Sequence, residues 1–177
     1  MKLYLKNHTE RYPVEQLQLQ LFAQEPSEFC TEPFTGDGTV SSLSRGKRYL
    51  TATAKVTYQG KTGFAVNRVL LDRADVRATR RILQRSYYLA ALQVLPAAPP
   101  WGALSGVRPT KLSTKCLMAG GSEKDAEKLL REAYFVSPER ARLCVDASRH
   151  TVEAAKLLDA DDLSVYIGIP FCPTRCA

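Results

Sequence analysis

Residues 165–177 read VYIGIPFCPTRCA, and this stretch decides how the rest of the chain is interpreted. β-Branched apolar residues run up to Pro170, a pattern that predicts a short strand ending at a proline-bounded loop. The loop carries Cys172 and Cys176, with three residues between them. Two thiols held this close are typical of a metal-ligand loop, and cysteine sulfur is the protein ligand of iron–sulfur clusters.

The CxxxC spacing by itself leaves other interpretations open. Two cysteines do not complete a metal site, so either further ligands follow or the pair has another role. The thiols also fit a surface redox pair, half of a zinc site, or two unrelated cysteines. The strand pattern that ends at Pro170 favours a cluster loop, because such a loop needs a strand that stops abruptly.

Residues 165–177 resemble the first strand and cluster loop of radical S-adenosylmethionine (SAM) enzymes of the oxygen-independent coproporphyrinogen III oxidase group. Those enzymes continue as CxxxCxxC, which would place a third cysteine three positions after Cys176. A second run, WGALSGVRPTKL (Trp101–Leu112), resembles the HemZ-type coproporphyrinogen dehydrogenases, which have an additional region before the barrel. The chain is therefore interpreted as that N-terminal region plus the first strand of a truncated radical-SAM barrel.

This resemblance implies a set of cofactors and a reaction. Cys172 and Cys176 would be two of the three ligands of a 4Fe–4S cluster, and Tyr166, at the family's strand tyrosine, would lie against SAM or the cluster. The family decarboxylates two propionates of coproporphyrinogen III to give protoporphyrinogen IX in haem biosynthesis. The implied partners are coproporphyrinogen III and a low-potential electron-donor protein. Because most of the barrel is missing, the chain alone is expected to be inactive and to lack both cofactors.

Two other functions stay open. Close look-alikes of the oxidase group are haem chaperones, which carry haem without cleaving SAM. The net charge of +7, from 25 Lys and Arg against 18 Asp and Glu, also admits a nucleic-acid-binding domain of a radical-SAM tRNA-modifying enzyme. Nucleic acid is not the expected partner, because the β-face shows no aromatic cluster on which bases stack.

The composition predicts an ordinary globular protein of one or two domains, with 45% hydrophobic and 24% charged residues. No window approaches the ~18 apolar residues of a membrane span, so no membrane partner is expected. The N terminus has no apolar run of the kind that export signals need. Five cysteines without such a signal do not indicate a secreted disulfide framework, and the expected compartment is the cytoplasm.

Residues 1–95 predict a small α+β domain with the order β-α-β-β-α. The predicted elements are a strand over Lys2–Lys6, a helix near Pro13, a strand from Arg48, its hairpin partner with Phe64 and Val66, and a helix over 75–95. The strand from Arg48 alternates cleanly, with Leu50, Ala52, Ala54, Val56 and Tyr58 on one face, and the last helix is expected to face inward at Val76, Leu83, Tyr87, Ala90 and Val94. Residues 25–46 are rich in Glu, Pro, Gly, Ser and Thr and predict an exposed loop.

Pro96–Pro100 (PAAPP) predicts a stiff linker and the boundary of the second unit, residues 96–162, which is mostly helical. Helices are expected to begin at Pro109, at Ser122 with Asp125 as a capping box, and at Ser137. Leu143, Ala147, Val152 and Ala155 are expected to face inward on the last helix. Residues 163–177 form the third unit, the strand and cluster loop.

Arg108 and Lys111 lie near the predicted N terminus of the helix that begins at Pro109, where free amides and the helix dipole favour an anion. They are candidate contacts for an anion or for a porphyrinogen propionate. The alternative is that Arg108 pairs with a carboxylate of the neighbouring domain, a common use of arginine. Of the remaining candidates, His8 and His150 are expected not to be ligands, and Cys116 and Cys144 to be buried, inert thiols.

Overall fold

A five-stranded mixed sheet forms the first part of the fold in the computed structural model, which describes residues 1–105, 108–159, 161–163 and 165–168. The strands are β1 (Lys2–Lys6), β2 (Glu28–Cys30), β3 (Gly38–Arg45), β4 (Tyr49–Tyr58) and β5 (Lys61–Leu70). They lie in the order β2-β1-β3-β4-β5, with β1 parallel to β2 and β3, and with β3, β4 and β5 antiparallel. This sheet and the helices that accompany it confirm the predicted α+β class.

The prediction for residues 25–46 is wrong, because this segment contains β2 and β3 instead of one exposed loop. β3 lies at the centre of the sheet, between β1 and β4. Two of its inward positions are the polar residues Thr39 and Ser41, and both are fully buried. Polar residues at inward positions hide the apolar alternation on which strand prediction depends.

Two helices, α1 (Arg11–Leu21) and α2 (Val76–Ala91), share one hydrophobic core with the sheet. The Asp75 carboxylate caps α2 by accepting a hydrogen bond from the Ala78 amide. Fully buried core residues are Leu3, Val14, Leu17, Ala52, Ala54, Val56, Leu83, Tyr87 and Ala90. The predicted inward faces of β4 and α2 are thus confirmed, except at Val76 in the first turn of α2, which is 61% exposed.

α2 packs very closely on β5 at Gly63, an inward position of that strand. A Cβ atom at Gly63 would lie 2.0 Å from the Ala90 carbonyl oxygen, so only glycine fits here. Just beyond α2, the Gln93 side chain donates to the Phe64 carbonyl at 2.8 Å and accepts from the Phe64 amide at 3.2 Å. These two bonds satisfy backbone groups that an edge strand otherwise leaves free.

The second part of the fold is helical, with α3 (Pro109–Met118), α4 (Glu123–Lys128), a π-helical turn (Leu129–Ala133) and α5 (Pro138–Lys156). The predicted start signals are confirmed. Ser122 and Asp125 form a reciprocal capping box, and the Ser137 hydroxyl accepts from the Arg140 amide at 3.3 Å. A second core cluster comprises Leu104, Ala126, Leu130, Val136, Ala141, Cys144 and Val145. Within the described ranges, no helix is both long enough and apolar enough to span a bilayer.

The inward face predicted for α5 is wrong at three of its four positions, and the fourth, Val152, is half-buried. Leu143, Ala147 and Ala155 are exposed, whereas the buried positions of this helix are Ala141, Cys144, Val145 and Ser148. Ser148 fills an inward position because its hydroxyl pairs with the Ser113 hydroxyl at 2.7 Å and donates to the Thr110 carbonyl at 3.1 Å. A buried hydroxyl is stable when it has hydrogen-bond partners. The inward position of such a residue cannot be predicted from the spacing of apolar residues.

The helical part contains a tight backbone contact between the segment after the proline-rich stretch and the residues that follow the π-helical turn, and a ring of the latter reaches α2. Gly102 has a positive φ of 58°, and a Cβ atom there would lie 2.1 Å from the Tyr134 carbonyl oxygen. The same carbonyl accepts from the Ala103 amide at 2.7 Å. Phe135 stacks on Tyr88 of α2, with ring centroids 5.0 Å apart. The predicted domain boundary at residue 96 stays a prediction. The contact between Phe135 and Tyr88 crosses it.

Candidate functional site

The predicted cluster ligands, Cys172 and Cys176, lie outside the described residues. Tyr166 is described, and its side chain is 94% exposed, with Val165 and Ile167 beside it 83% and 84% exposed. The predicted strand is not formed over residues 165–168, which carry neither helix nor strand. The sheet of the described residues consists of β1 to β5 alone, and a strand persists only where a neighbour pairs with its backbone.

Arg108 and Lys111 lie at the start of α3, as predicted. Arg108 is the N-cap residue, and its carbonyl accepts from the Lys111 amide at 3.0 Å. Both residues are exposed. Among the described residues, neither side chain takes part in an ion pair, so the alternative in which Arg108 binds a carboxylate has no partner there. The two cations are accessible to an anion from solution.

A cleft of about 800 Å³ lies between α2 and the helical part of the fold. Its apolar lining includes the stacked rings of Tyr88 and Phe135, and the guanidinium of Arg85 lies 4.7 Å from the Phe135 ring centroid. Lys124 and Lys128 line another side of the cleft. Tyr88 is only 1% exposed, so its ring presents little surface to a ligand in the cleft.

This cleft was not predicted from the sequence. Tyr88 and Phe135 are 47 positions apart, so no local pattern connects them, and the backbone at Phe135 has a positive φ of 60° that no residue type signals. The cleft also contains carboxylates, since Glu127 and Glu132 line it and Glu127 lies 3.4 Å from the Arg131 guanidinium. Its electrostatic preference for anions is therefore modest.

The other candidate ligands are separated from one another. Cys144 is buried, which raises the pKa of its thiol, whereas Cys30 and Cys116 are half-buried. His150 is exposed and lies 3.6 Å from Asp146 and 3.5 Å from Glu153, as expected for a surface histidine. Within the described ranges, no group of three or more His, Cys, Asp and Glu residues is placed to hold a metal ion.

His8 is half-buried beside the central strand and makes stability depend on pH. Its Nε2 atom lies 3.2 Å from the Ser41 hydroxyl and 3.3 Å from the Ser41 carbonyl. Burial lowers the pKa of His8 below the ordinary 6.5, although the Ser41 carbonyl and the Glu10 carboxylate act in the opposite direction. The unfolded chain therefore binds a proton more readily than the folded protein, and stability is lost as pH falls below 6.5.

The His8→Gln variant tests this pH dependence. Glutamine keeps an amide for Ser41 but does not titrate, so the variant is expected to lose less stability than the wild type between about pH 7.5 and pH 5.5. The urea midpoint of unfolding, measured for both proteins across this range, is the readout. Parallel midpoint curves for the two proteins would contradict the assignment to His8.

No protein-family model matches the chain, and no solved structure matches it significantly. The chain is similar to a curated protein of Bacillus subtilis (strain 168). That protein is the oxygen-independent coproporphyrinogen-III oxidase-like protein HemZ, and it is 30% identical over 168 residues. The match covers 92% of this chain but only 32% of HemZ, so the chain spans about a third of the length of the curated relative it matches.

Proposed function

We propose that this chain is the N-terminal part of an enzyme of the oxygen-independent coproporphyrinogen III oxidase type. The proposal is carried by the 30% identity to HemZ, which extends over 92% of the chain. A match of that extent includes both the sheet and the helices, and is therefore more than a shared short motif. The CxxxC loop at Cys172 and Cys176 fits the same enzyme class.

Cys172 and Cys176 are proposed as two ligands of a 4Fe–4S cluster. Thiolate sulfur is the donor that such a cluster takes, so the residues present fit the group, although a third ligand is still needed. The described residues offer no competing metal site. When bound, the cluster and SAM supply the one-electron chemistry by which propionate side chains lose carbon dioxide.

The remaining proposed contacts come from this chain's own exposed residues. Tyr166 is proposed to pack against the cofactors, and its almost complete exposure in this chain leaves the ring available for a partner surface. Arg108 and Lys111 stay predictions as contacts for a propionate, since accessible cations at a helix N terminus bind carboxylates well.

The proposed partners are coproporphyrinogen III and a low-potential electron-donor protein. The proposed compartment is the cytoplasm, because the free thiols of Cys30, Cys116 and Cys144 and the cysteines proposed for the cluster all need a reducing environment. The 177-residue chain by itself is proposed to be inactive, since it spans only 32% of the length of HemZ.

The test uses the full-length protein, purified without oxygen and reconstituted with iron and sulfide. With SAM, a reductant and coproporphyrinogen III, we expect release of two molecules of carbon dioxide per porphyrinogen and appearance of the divinyl product. A reconstituted protein that forms its cluster but makes no vinyl product would overturn the oxidase proposal. If that protein also bound haem and transferred the haem to an apoprotein, the haem-chaperone alternative would replace the oxidase proposal.

A further inference from the structure

The face of the sheet that points away from α1 and α2, here named the open face, is accessible to solvent in the described part of the chain. Strand register places its residues in rows that cross the sheet. One row contains Tyr4, Val40, Lys55 and Phe64, and the next contains Lys6, Ser42, Thr53 and Val66. Phe64 and Val66, on the edge strand β5, are 56% and 49% exposed, so two neighbouring apolar side chains of this face are open to solvent.

The open face is positively charged. Its strand positions carry the cations Lys2, Lys6, Lys55 and Arg68, and the carboxylate among them is Glu28, which lies opposite Lys2 on the short edge strand β2. Positive charge of this density attracts a polyanion, because each contacted phosphate releases condensed counterions. Charge complementarity therefore favours an anionic partner. A nucleic acid is the anionic partner that also has flat bases to stack on exposed rings.

Aromatic rings are spaced between these cations. Tyr4 and Phe64 lie at two ends of one row, and neighbouring strands are ~4.8 Å apart, so the two residues are separated by ~14 Å. Arg68 lies 4.8 Å from the Tyr49 ring centroid. A further ring, Phe34, lies over Gly38, where a Cβ atom would approach it to 2.4 Å. These rings come from distant parts of the sequence, which is why the strand patterns did not reveal them.

Hydroxyl groups complete the open face. Ser42 on β3 lies opposite Thr53 on β4, and Ser44 lies opposite Thr51 in the next row. On the same face, beyond the row of Lys55 and Phe64, Thr57 on β4 lies opposite Thr62 on β5. Hydroxyls that donate and accept are suited to the ribose 2′-OH, which is the group that distinguishes RNA from DNA.

We propose that the open face binds single-stranded RNA, with bases stacked on Phe64 and Tyr4 and phosphates held by Lys6, Lys55 and Arg68. Single-stranded nucleic acid is the partner whose chemistry matches stacking rings and cations on one flat sheet. A duplex does not expose its base faces, so it has no use for the rings. This proposal does not depend on the proposed enzymatic function, since it concerns the sheet and requires no cofactor.

Fluorescence anisotropy tests the proposal with the 177-residue chain and labelled oligouridylate of about 12 nucleotides, a length within the range of single-strand sites. We expect salt-sensitive binding that is tighter than binding to oligodeoxythymidylate or to an RNA duplex. Phe64→Ala is expected to weaken binding about tenfold, the loss typical of one stacked base. Lys55→Ala is expected to weaken it and to lower the slope of log affinity against log salt by ~0.7.

Two variants on other surfaces serve as matched controls. Tyr12→Ala removes a 68% exposed ring from α1, and Lys115→Ala removes an exposed cation from the last turn of α3, so both are expected to bind as the wild type does. Circular dichroism establishes that each variant is folded. The proposal is overturned if no salt-sensitive RNA binding occurs, or if Phe64→Ala and Lys55→Ala bind as the controls do. Equal affinity for DNA or for the duplex overturns the assignment to single-stranded RNA.

Discussion

Replacing Cys172 by serine in the uninterrupted gene product is expected to abolish the iron–sulfur cluster and the SAM-dependent reaction. A serine hydroxyl does not ionise at neutral pH and is a poor ligand for iron, whereas the thiolate is the ligand that these clusters use. Loss of a group that merely supports a ligand costs about 10- to 100-fold in metal affinity or activity, so loss of the ligand itself is expected to cost more. Iron and sulfide content per protein, after anaerobic reconstitution, is the primary measurement.

The matched control for this substitution is Cys30→Ser. Cys30 is a free, half-buried thiol on the edge strand β2, and its replacement is expected to leave the iron content unchanged. Cys176→Ser is expected to behave as Cys172→Ser does. If the Cys172 variant kept the wild-type iron content, or if Cys30→Ser lost iron to the same degree, the assignment of the cluster ligands would be refuted.

Replacing Gly63 by alanine is expected to cost about 3 kcal/mol of stability, at the upper end of the usual range for overpacked cores. The added methyl group would lie 2.0 Å from the Ala90 carbonyl oxygen, which is backbone and does not rotate away. α2 must therefore separate from β5, and it loses contacts on both strands beneath it. For a chain of this length, thermal unfolding is expected to shift downward by about 6–12 °C.

Gly46→Ala is the matched control for the steric argument. A Cβ atom at Gly46 meets its nearest atom, the Tyr49 carbonyl oxygen, at 3.6 Å, an ordinary contact distance. Its unfolding midpoint is expected to remain within about 0.5 kcal/mol of the wild type. Were the two variants equally stable, the close packing of α2 on β5 at Gly63 would have to be abandoned.

The elements with strong local signals could be predicted from the sequence. The alternation through Ala52, Ala54 and Val56 gave β4 and its buried face, and the serine caps at Ser122 and Ser137 gave the starts of α4 and α5. Two of the failures share one physical cause. β3 and the inward face of α5 bury hydroxyl side chains such as those of Ser41 and Ser148, which are stable inside only because of partners that the local sequence does not name.

For the candidate site, the sequence leads to a prediction only where a motif carries it. Cys172 and Cys176 stand out because two thiols with three residues between them follow a strand pattern, and their role as cluster ligands stays a prediction. The cleft at Tyr88 and Phe135 and the rows of the open face depend on contacts between segments far apart in sequence. Such contacts depend on which strands and helices are neighbours in the fold, so they could not be predicted before the structure was known.

The two hydrogen bonds between Gln93 and Phe64 have a consequence for how copies of the chain meet. β5 is a ten-residue edge strand of the sheet. Repeated addition of strands from other molecules at such an edge is the pairing that produces cross-β fibrils. The Gln93 amide already takes the donor and the acceptor at Phe64, so an incoming backbone finds that register position filled. The Gln93 side chain thus hinders intermolecular β-pairing at Phe64, where the exposed side chains of Phe64 and Val66 would otherwise favour it.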